Sequence, residues 1–301
     1  MDGLKHNKNE KYLFRLIDSL IEKKFTKNSI LLSCGGGVIG DLSALASSLY
    51  LRGLNYCHIP TTITSIVDSC IGGKTAINYK DIINSVGNYY HPKIVFIFDE
   101  IIKKMPNREF LSGIPEILKC GVIKKNKILK ILINSKDKII NRDFKVISDL
   151  CKETLKTKIY FFIDDVREKN SRLNLNFGHT FAHSIEMSCN FNKNNDFIRH
   201  GEAVGLGMLC EVYYSNKKIN KMYLLIKKIL EGYSLFTTLN TIPKTIDKKK
   251  LHKKIVQNVF LDKKKINMYP RYISLKKFYK PMIKEIDNMN LLNETIYKII
   301  K

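Results

Sequence analysis

The chain has 301 residues, 44% of them hydrophobic and 27% charged, and a formal net charge of +24. That length and balance suit one large or two modest globular domains with real cores. No apolar run approaches the roughly 20 residues needed to span a bilayer, and the first residues carry no apolar core of the kind a secretory signal needs.

The first third alternates strand and helix patterns. Residues 29–34 form a short β-rich run that ends in Gly35-Gly36-Gly37, and a helical pattern follows over 38–51. Residues 56–60 and 93–98 read as two further strands. Strands separated by helices imply a parallel sheet, hence an α/β domain over 1–104. From about Pro106 the pattern is helical nearly throughout, with 271–275 the only candidate strand, so a helical domain is expected over 105–301. The Asn-rich stretch 190–196 reads as a surface loop.

The seven cysteines, at 34, 57, 70, 120, 151, 189 and 210, are scattered and form no Cys-x-x-Cys pair. They read as reduced thiols of a cytoplasmic protein. The positive charge is mostly Lys in runs such as 248–250, 253–254 and 263–265, with no interleaved aromatics of the kind RNA-binding segments carry. It reads as lysine on solvated faces, and no nucleic-acid or membrane partner is expected.

Three segments carry chemistry. Gly35-Gly36-Gly37-Val38-Ile39-Gly40-Asp41 follows a strand and opens a helix. Such a turn brings backbone N–H groups and a helix N-terminus to a phosphate, or is simply a tight connection. Lys74 stands between Gly72-Gly73 and Thr75 without the spacing of an NTPase loop. It suits a phosphate or hydroxyl contact, with Asp68 and Asn84 as polar neighbours. The third segment places His179 and His183 at i and i+4, one helical face, and His200 follows. One imidazole can hold a metal while the second moves protons. Glu116 and Lys119, at i and i+3 of another helical stretch, add a carboxylate donor and a cation. The expected product is a metal centre in the helical domain, ringed by groups that recognise an anion. His6, His58, His91 and His252 read as ordinary core or surface residues.

These residues lie in ordered blocks: GGGVIGDLSALASSLYLRG at 35–53, IPTTITSIVDSCIGGKTAIN at 59–78, REFLSGIPEILKCGVI at 108–123, NLNFGHTFAHSIE at 174–186 and HGEAVGLGM at 200–208. In this combination the sequence resembles the 3-dehydroquinate synthase family. The resemblance implies a Rossmann-like NAD-binding domain and a helical metal-binding domain, NAD and a divalent metal as cofactors (Zn2+ first, Co2+ second), and a homodimer. It implies conversion of 3-deoxy-D-arabino-heptulosonate 7-phosphate to 3-dehydroquinate and phosphate. Glu116, His179 and His200 would hold the metal, and His183 would relay protons. Asn176, Lys74, Asn84, Asp68, Lys119, Lys158, Arg172 and Lys264 would surround the substrate. Arg52 would reach a neighbouring subunit's site. Gly36, Gly37, Asp41, Thr61, Thr62 and Lys74 would contact NAD.

Two departures from the family pattern stand out. Ile83 replaces a lysine that in the family contributes to cofactor and anion binding, and Lys80 is the nearest substitute in sequence. Met1 falls near the family's Asp-Gly-Glu-x-x-Lys segment, after the part that supplies its first strands, so an N-terminally shortened sheet with an uncovered edge is expected. There Leu4 replaces the glutamate, and Lys5 or Lys8 stands in for the lysine. The alternatives are a related sugar-phosphate cyclase with another substrate, and an impaired remnant that keeps its metal.

Overall fold

The computed structural model describes residues 7–80, 82–190, 197–240, 247–261 and 269–301, and the chain divides into two compact units, Met1–Phe110 and Leu111–Lys301.

In the first unit α1 (Glu10–Glu22) starts where the Asn9 side chain accepts the Tyr12 N–H. Its apolar residues Leu13, Leu16, Ile17 and Leu20 follow the i, i+3, i+4, i+7 rule, so one stripe faces inward. Leu13 joins Leu42, Leu45, Ala46 and Ile77 in a buried cluster. Each of its Leu and Ile side chains contributes about 1.5–3 kcal/mol on burial. Strand β1 (Ile30–Gly35) leads through the glycine turn into α2 (Gly37–Leu49), whose buried residues mix Leu42 and Leu45 with the small Ser43, Ala44, Ala46 and Ser47. Strand β2 (Asn55–Pro60) follows. It pairs in parallel with β1 from Ile30 opposite Asn55 to Gly35 opposite Pro60.

Two strands then form an antiparallel hairpin that the sequence reading did not foresee: β3 (Lys74–Tyr79) and β4 (Ile82–Tyr89). β5 (Ile94–Val95) returns to the parallel sheet beside β2, giving the order β1-β2-β5. The expected third strand over 93–98 is thus shorter in pairing. Phe96 still donates its N–H to His58 O at 2.9 Å. β1 is an edge strand of this sheet, and its Ile30 and Leu32 side chains are exposed. Two short helices follow, α3 (Asp99–Lys104) and α4 (Asn107–Leu111).

The second unit is helical, as expected. α5 (Ile114–Ile123) is followed by α6 (Ile128–Asn134), α7 (Lys136–Ile140) and the long α8 (Phe144–Phe162). A 3-10 segment, Ser171–Asn176, leads into α9 (His179–Cys189), and α10 (His200–Asn216), α11 (Lys221–Gly232) and α12 (Lys248–Val259) come next. The chain finishes with the hairpin β6 (Arg271–Ser274) and β7 (Met282–Glu285) and then α13 (Met289–Ile300). The candidate strand near 271–275 is β6, and its partner β7 was not legible. α10 is the axis of the unit: every residue of Gly201–Ser215 is buried, and α5, α9, α11, α13 and β6 pack around it. A helix covered on all sides is the centre of a core, and here it buries Glu202 and Glu211 along with its apolar and small residues. No described helix is long and apolar enough to cross a membrane.

Candidate metal centre and cofactor turn

Three helices of the second unit supply one cluster of side chains. Glu116 lies in the first turn of α5, His179 is the first residue of α9 and His200 the first of α10. Two glycines set this arrangement. A Cβ on Gly201 would lie 1.6 Å from Ser112 O, just before α5, and a Cβ on Gly207 would lie 1.9 Å from Gly178 O. Only backbone without a side chain lets α10 approach both neighbours so closely. Gly178 itself has φ +86°, the left-handed conformation that turns the 3-10 segment into α9 and that other residues adopt only at a cost. At the start of α10, Glu202 Oε2 accepts the Arg199 N–H at 2.8 Å, closing that helix end.

The side chains converge as a consequence. Glu116 Oε1 lies 3.5 Å from His179 Nε2 and 3.3 Å from His200 Nε2. The donor atoms of the three residues all fall within 4.8 Å of one another. A tetrahedral ion with ligands at about 2.0–2.2 Å separates its donors by about 3.3–3.6 Å, so the spacing matches a metal site. Each imidazole is turned by its other nitrogen. His179 Nδ1 faces Phe177 O at 3.2 Å, and His200 Nδ1 faces Glu186 Oε2 at 3.0 Å. Both acceptors require an N–H at Nδ1, so each ring presents its Nε2 to the cluster.

Glu116 is 1% exposed, and neither carboxylate oxygen accepts a well-directed hydrogen bond, although Lys119 Nζ lies 2.6 Å from Oε2. A buried carboxylate in that condition is costly unless a cation satisfies it. Lys119 is one such cation, and a carboxylate with two imidazole nitrogens is also a donor set that fits a divalent metal. The electrostatics agree. Burial would raise the Glu116 carboxyl, but Lys119 and the two imidazoles outweigh it and hold the group well below the usual carboxylate range. Burial, and then Lys119, push His179 below its ordinary value, so it is a neutral donor. Burial also works against charge on His200, yet the adjacent Glu116 and Glu186 carboxylates prevail and raise it to about 10. In the metal-free protein a proton therefore occupies His200, and an incoming ion displaces it.

His183 completes a cluster of three rings, 5.7 Å from His179 edge to face and 5.9 Å from His200 in a near-parallel stack. The elements that carry the other expected residues surround α5: α8 with the buried Lys158, and the 3-10 segment with Arg172 and Asn176. Arg172 is buried, donates from Nη1 to Val166 O at 2.6 Å and packs over the Phe162 ring at 5.3 Å. Its loop is tied down by Asp165, which accepts the N–H groups of Lys169, Asn170 and Arg172 at 2.8–3.0 Å. Asn176 donates to Glu168 Oε1. Lys264 lies outside the described residues. Glu186 and Asp165 were missed by the sequence reading. Glu186 had a signal, because it stands at i+7 from His179 and i+3 from His183 on the same helix.

In the first unit Gly36 and Gly37 form the turn between β1 and α2. A Cβ on Gly36 would meet Thr62 Cγ2 at 3.1 Å, and one on Gly37 would meet Ser69 Oγ at 3.3 Å. Thr61 donates its N–H to Gly35 O at 3.0 Å, and the Thr62 hydroxyl accepts the Ser65 N–H at 3.0 Å. The turn is thus a backbone cradle with hydroxyls along one side, a donor set that fits the phosphates of a dinucleotide. Asp68 sits in the single wide turn Ser65–Ser69, and Lys74 is exposed at the start of β3. Arg52 is exposed with φ +63° at the end of a short 3-10 turn.

Ile83 is exposed on β4, and Lys80 leans over the Tyr79 ring at 5.5 Å. The cation beside Asn84 comes from elsewhere: the Lys8 ammonium contacts both the Asn84 side-chain oxygen and the Asp41 carboxylate. Between Lys5 and Lys8 it is Lys8 that reaches this cluster, while Lys5 lies outside the described residues. His58, read as an ordinary residue, is a buried core histidine with Nδ1 3.2 Å from Ser33 O and Nε2 3.3 Å from Ser65 Oγ.

This is the fold of a class of carbocycle-forming synthases and polyol dehydrogenases. The structure resembles ValA, a 2-epi-5-epi-valiolone synthase from Streptomyces hygroscopicus subsp. jinggangensis 5008 with NAD+ and Zn2+ bound. The TM-score is 0.85 and the identity 19%, covering 99% of this chain and 81% of that one. A 2-deoxy-scyllo-inosose synthase complexed with carbaglucose-6-phosphate, NAD+ and Co2+ follows at TM-score 0.83 and 22% identity, covering 98% and 81%. Glycerol dehydrogenase from Schizosaccharomyces pombe is more distant, at TM-score 0.62 and 14% identity over 94% of this chain and 72% of that one.

The family model for the 3-dehydroquinate synthase N-terminal region matches residues 2–112, and that for the C-terminal region matches 113–265. The chain belongs to the 3-dehydroquinate synthase family. Curated 3-dehydroquinate synthases agree: that of Dictyoglomus thermophilum is 38% identical over 211 residues, 70% of this chain and 58% of the relative. Those of Prochlorococcus marinus and Francisella tularensis are 36% and 39% identical, over 79% and 69% of this chain and 66% and 57% of their own. The chain thus spans less than two thirds of the length of these curated relatives.

Proposed function

We propose that the protein is a 3-dehydroquinate synthase, converting 3-deoxy-D-arabino-heptulosonate 7-phosphate to 3-dehydroquinate and phosphate. The observation that carries this reading is the meeting of Glu116, His179 and His200 at metal-ligand spacing, with His183 against them. When bound, a divalent ion, Zn2+ or Co2+, supplies polarisation of the hydroxyl to be oxidised, and NAD supplies a hydride acceptor that later returns the hydride.

The chain's own residues do the rest. Glu116, His179 and His200 hold the ion, and the short helix-to-helix contacts keep their donor atoms fixed. His183 takes and returns a proton at an imidazole nitrogen as phosphate is eliminated and as the ring closes by aldol addition. Lys119, held against Glu116, and the buried Lys158 present ammonium groups to the substrate's oxygens. Arg172 offers the remaining N–H groups of its guanidinium to a carboxylate. Asn176, Asn84, Asp68, Lys74 and Lys264 orient hydroxyls and phosphate. In the first unit the Gly36–Gly37 turn admits the dinucleotide's phosphates, with Asp41, Thr61, Thr62 and Lys74 around it.

We place the protein in the cytoplasm and read it as a homodimer in which Arg52 reaches the neighbouring subunit's site. The exposed Ile82, Ile83, Val86 and Tyr89 along β4 support an association of that kind. The likeness to the 2-deoxy-scyllo-inosose synthase complexed with carbaglucose-6-phosphate motivates a second reading, a related cyclase with another sugar phosphate, whereas the buried Arg172 favours a carboxylated substrate. The test is phosphate release from the heptulosonate phosphate beside a hexose phosphate, with NAD and Zn2+ added or withheld. Release from the heptulosonate alone, abolished by chelation or by omitting NAD, is the expected result. No release from the fully loaded protein removes this function.

A further inference from the structure

Glu186 has no place among the metal donors, yet it is tied to one of them. On α9 it follows His179 and His183 at i+7 and i+3, so the three side chains share one stripe. His200 lies across that stripe from α10. Its Nε2 is 3.3 Å from Glu116 Oε1, its Nδ1 is 3.0 Å from Glu186 Oε2, and its ring stacks at 29° on His183. His179 provides an internal contrast. Its side chain is 10% exposed, walled in by packing, and its Nδ1 needs only the neutral carbonyl of Phe177. The His200 side chain is 30% exposed. Besides its ring contacts with His183 and His179, a charge-assisted hydrogen bond, roughly twice as strong as a neutral one, holds it.

We propose that Glu186 is a positioning residue of the metal centre, holding the His200 tautomer whose Nε2 faces Glu116 and making that imidazole the stronger electron donor of the pair. This rests on the reading of Glu116, His179 and His200 as metal ligands. The carboxylate also sets the charge of the site. With Glu186 and Glu116 against Lys119, a bound divalent ion leaves one net positive charge, and without Glu186 it leaves two. A less compensated ion is held less tightly.

The test is Co2+ binding to the full, metal-stripped chain, followed by chelator competition and by the visible spectrum of the bound ion. Wild type should take up one Co2+, and His179→Ala should abolish high-affinity uptake. Glu186→Gln keeps the shape but loses the charge, and should bind Co2+ about 10- to 100-fold more weakly, with an altered spectrum and an unchanged melting temperature of the metal-free protein. Glu186→Asp, which keeps the charge at shorter reach, should recover part of the loss. Glu186→Gln affinity within twofold of wild type overturns the proposal while leaving the metal centre standing. So does loss in both variants together with a fall in metal-free melting temperature, which marks a structural role. Absence of Co2+ uptake by wild type overturns the metal centre and the role of Glu186 with it.

Discussion

In the helical unit every residue of α5 is buried, α10 is buried through fifteen consecutive positions, and the candidate metal donors stand in the first turns of α5, α9 and α10. In the α/β unit β4 is exposed through all eight of its residues, and the proposed ligand cradle is a glycine turn beside the Thr62 and Ser69 side chains. The difference follows from what each ligand needs. An ion demands donor atoms fixed to a few tenths of an ångström, which only side chains locked in a core supply. A dinucleotide's phosphates need N–H groups and room, which a turn at a helix N-terminus supplies with few side chains.

The comparison is broken most severely at Glu116. Glu116→Gln keeps the volume and removes the charge, and metal affinity should fall by more than the roughly 100-fold that outer partners of a metal site control. Chelator competition reads this directly, and NAD affinity should not change. A smaller and opposite effect is expected at the turn. Gly37→Val pushes a branched side chain against Ser69 and into the cradle, and should weaken NAD about tenfold, or ~1.4 kcal/mol, with metal affinity intact. Titration of both variants with both ligands checks the separation, and a shared loss would mean that the two regions are not independent.

The smallest effect concerns His58. Burial pushes its imidazole below the ordinary value of 6.5, against the single opposing hydrogen bond to Ser33. The folded chain therefore binds that proton less readily than the unfolded one. The stabilisation is complete above about pH 6.5 and is lost as the pH falls below it. His58→Gln should flatten this slope, measured as urea midpoints on either side of that pH.

Much of this was legible in the residues. The strand–glycine–helix order of β1, the turn and α2 is local, and so is the i, i+4 pairing of His179 with His183. The hairpin β3–β4 was not legible. Its strands mix Thr75, Asn78, Ser85 and Asn88 with apolar residues, and the pairing is decided by contacts across a reversal. Gly87 shows this: a Cβ there would sit 2.1 Å from Thr75 O, a constraint visible only once the strands meet. Lys8 beside Asn84 is a contact across 76 positions, which no local pattern encodes. Glu186 could have been found, since its spacing extends the histidine stripe by one more turn, but without the structure nothing tied it to His200.

α10 presents its first turn to the donor cluster: His200 is its first residue, and the Nε2 of that imidazole lies 3.3 Å from Glu116 Oε1. A helix start carries roughly half a positive elementary charge from its aligned peptide groups. Together with Lys119 this end gives the cluster an electropositive bias that comes partly from the backbone itself, which no side-chain substitution removes, so a negatively charged group is favoured beside it.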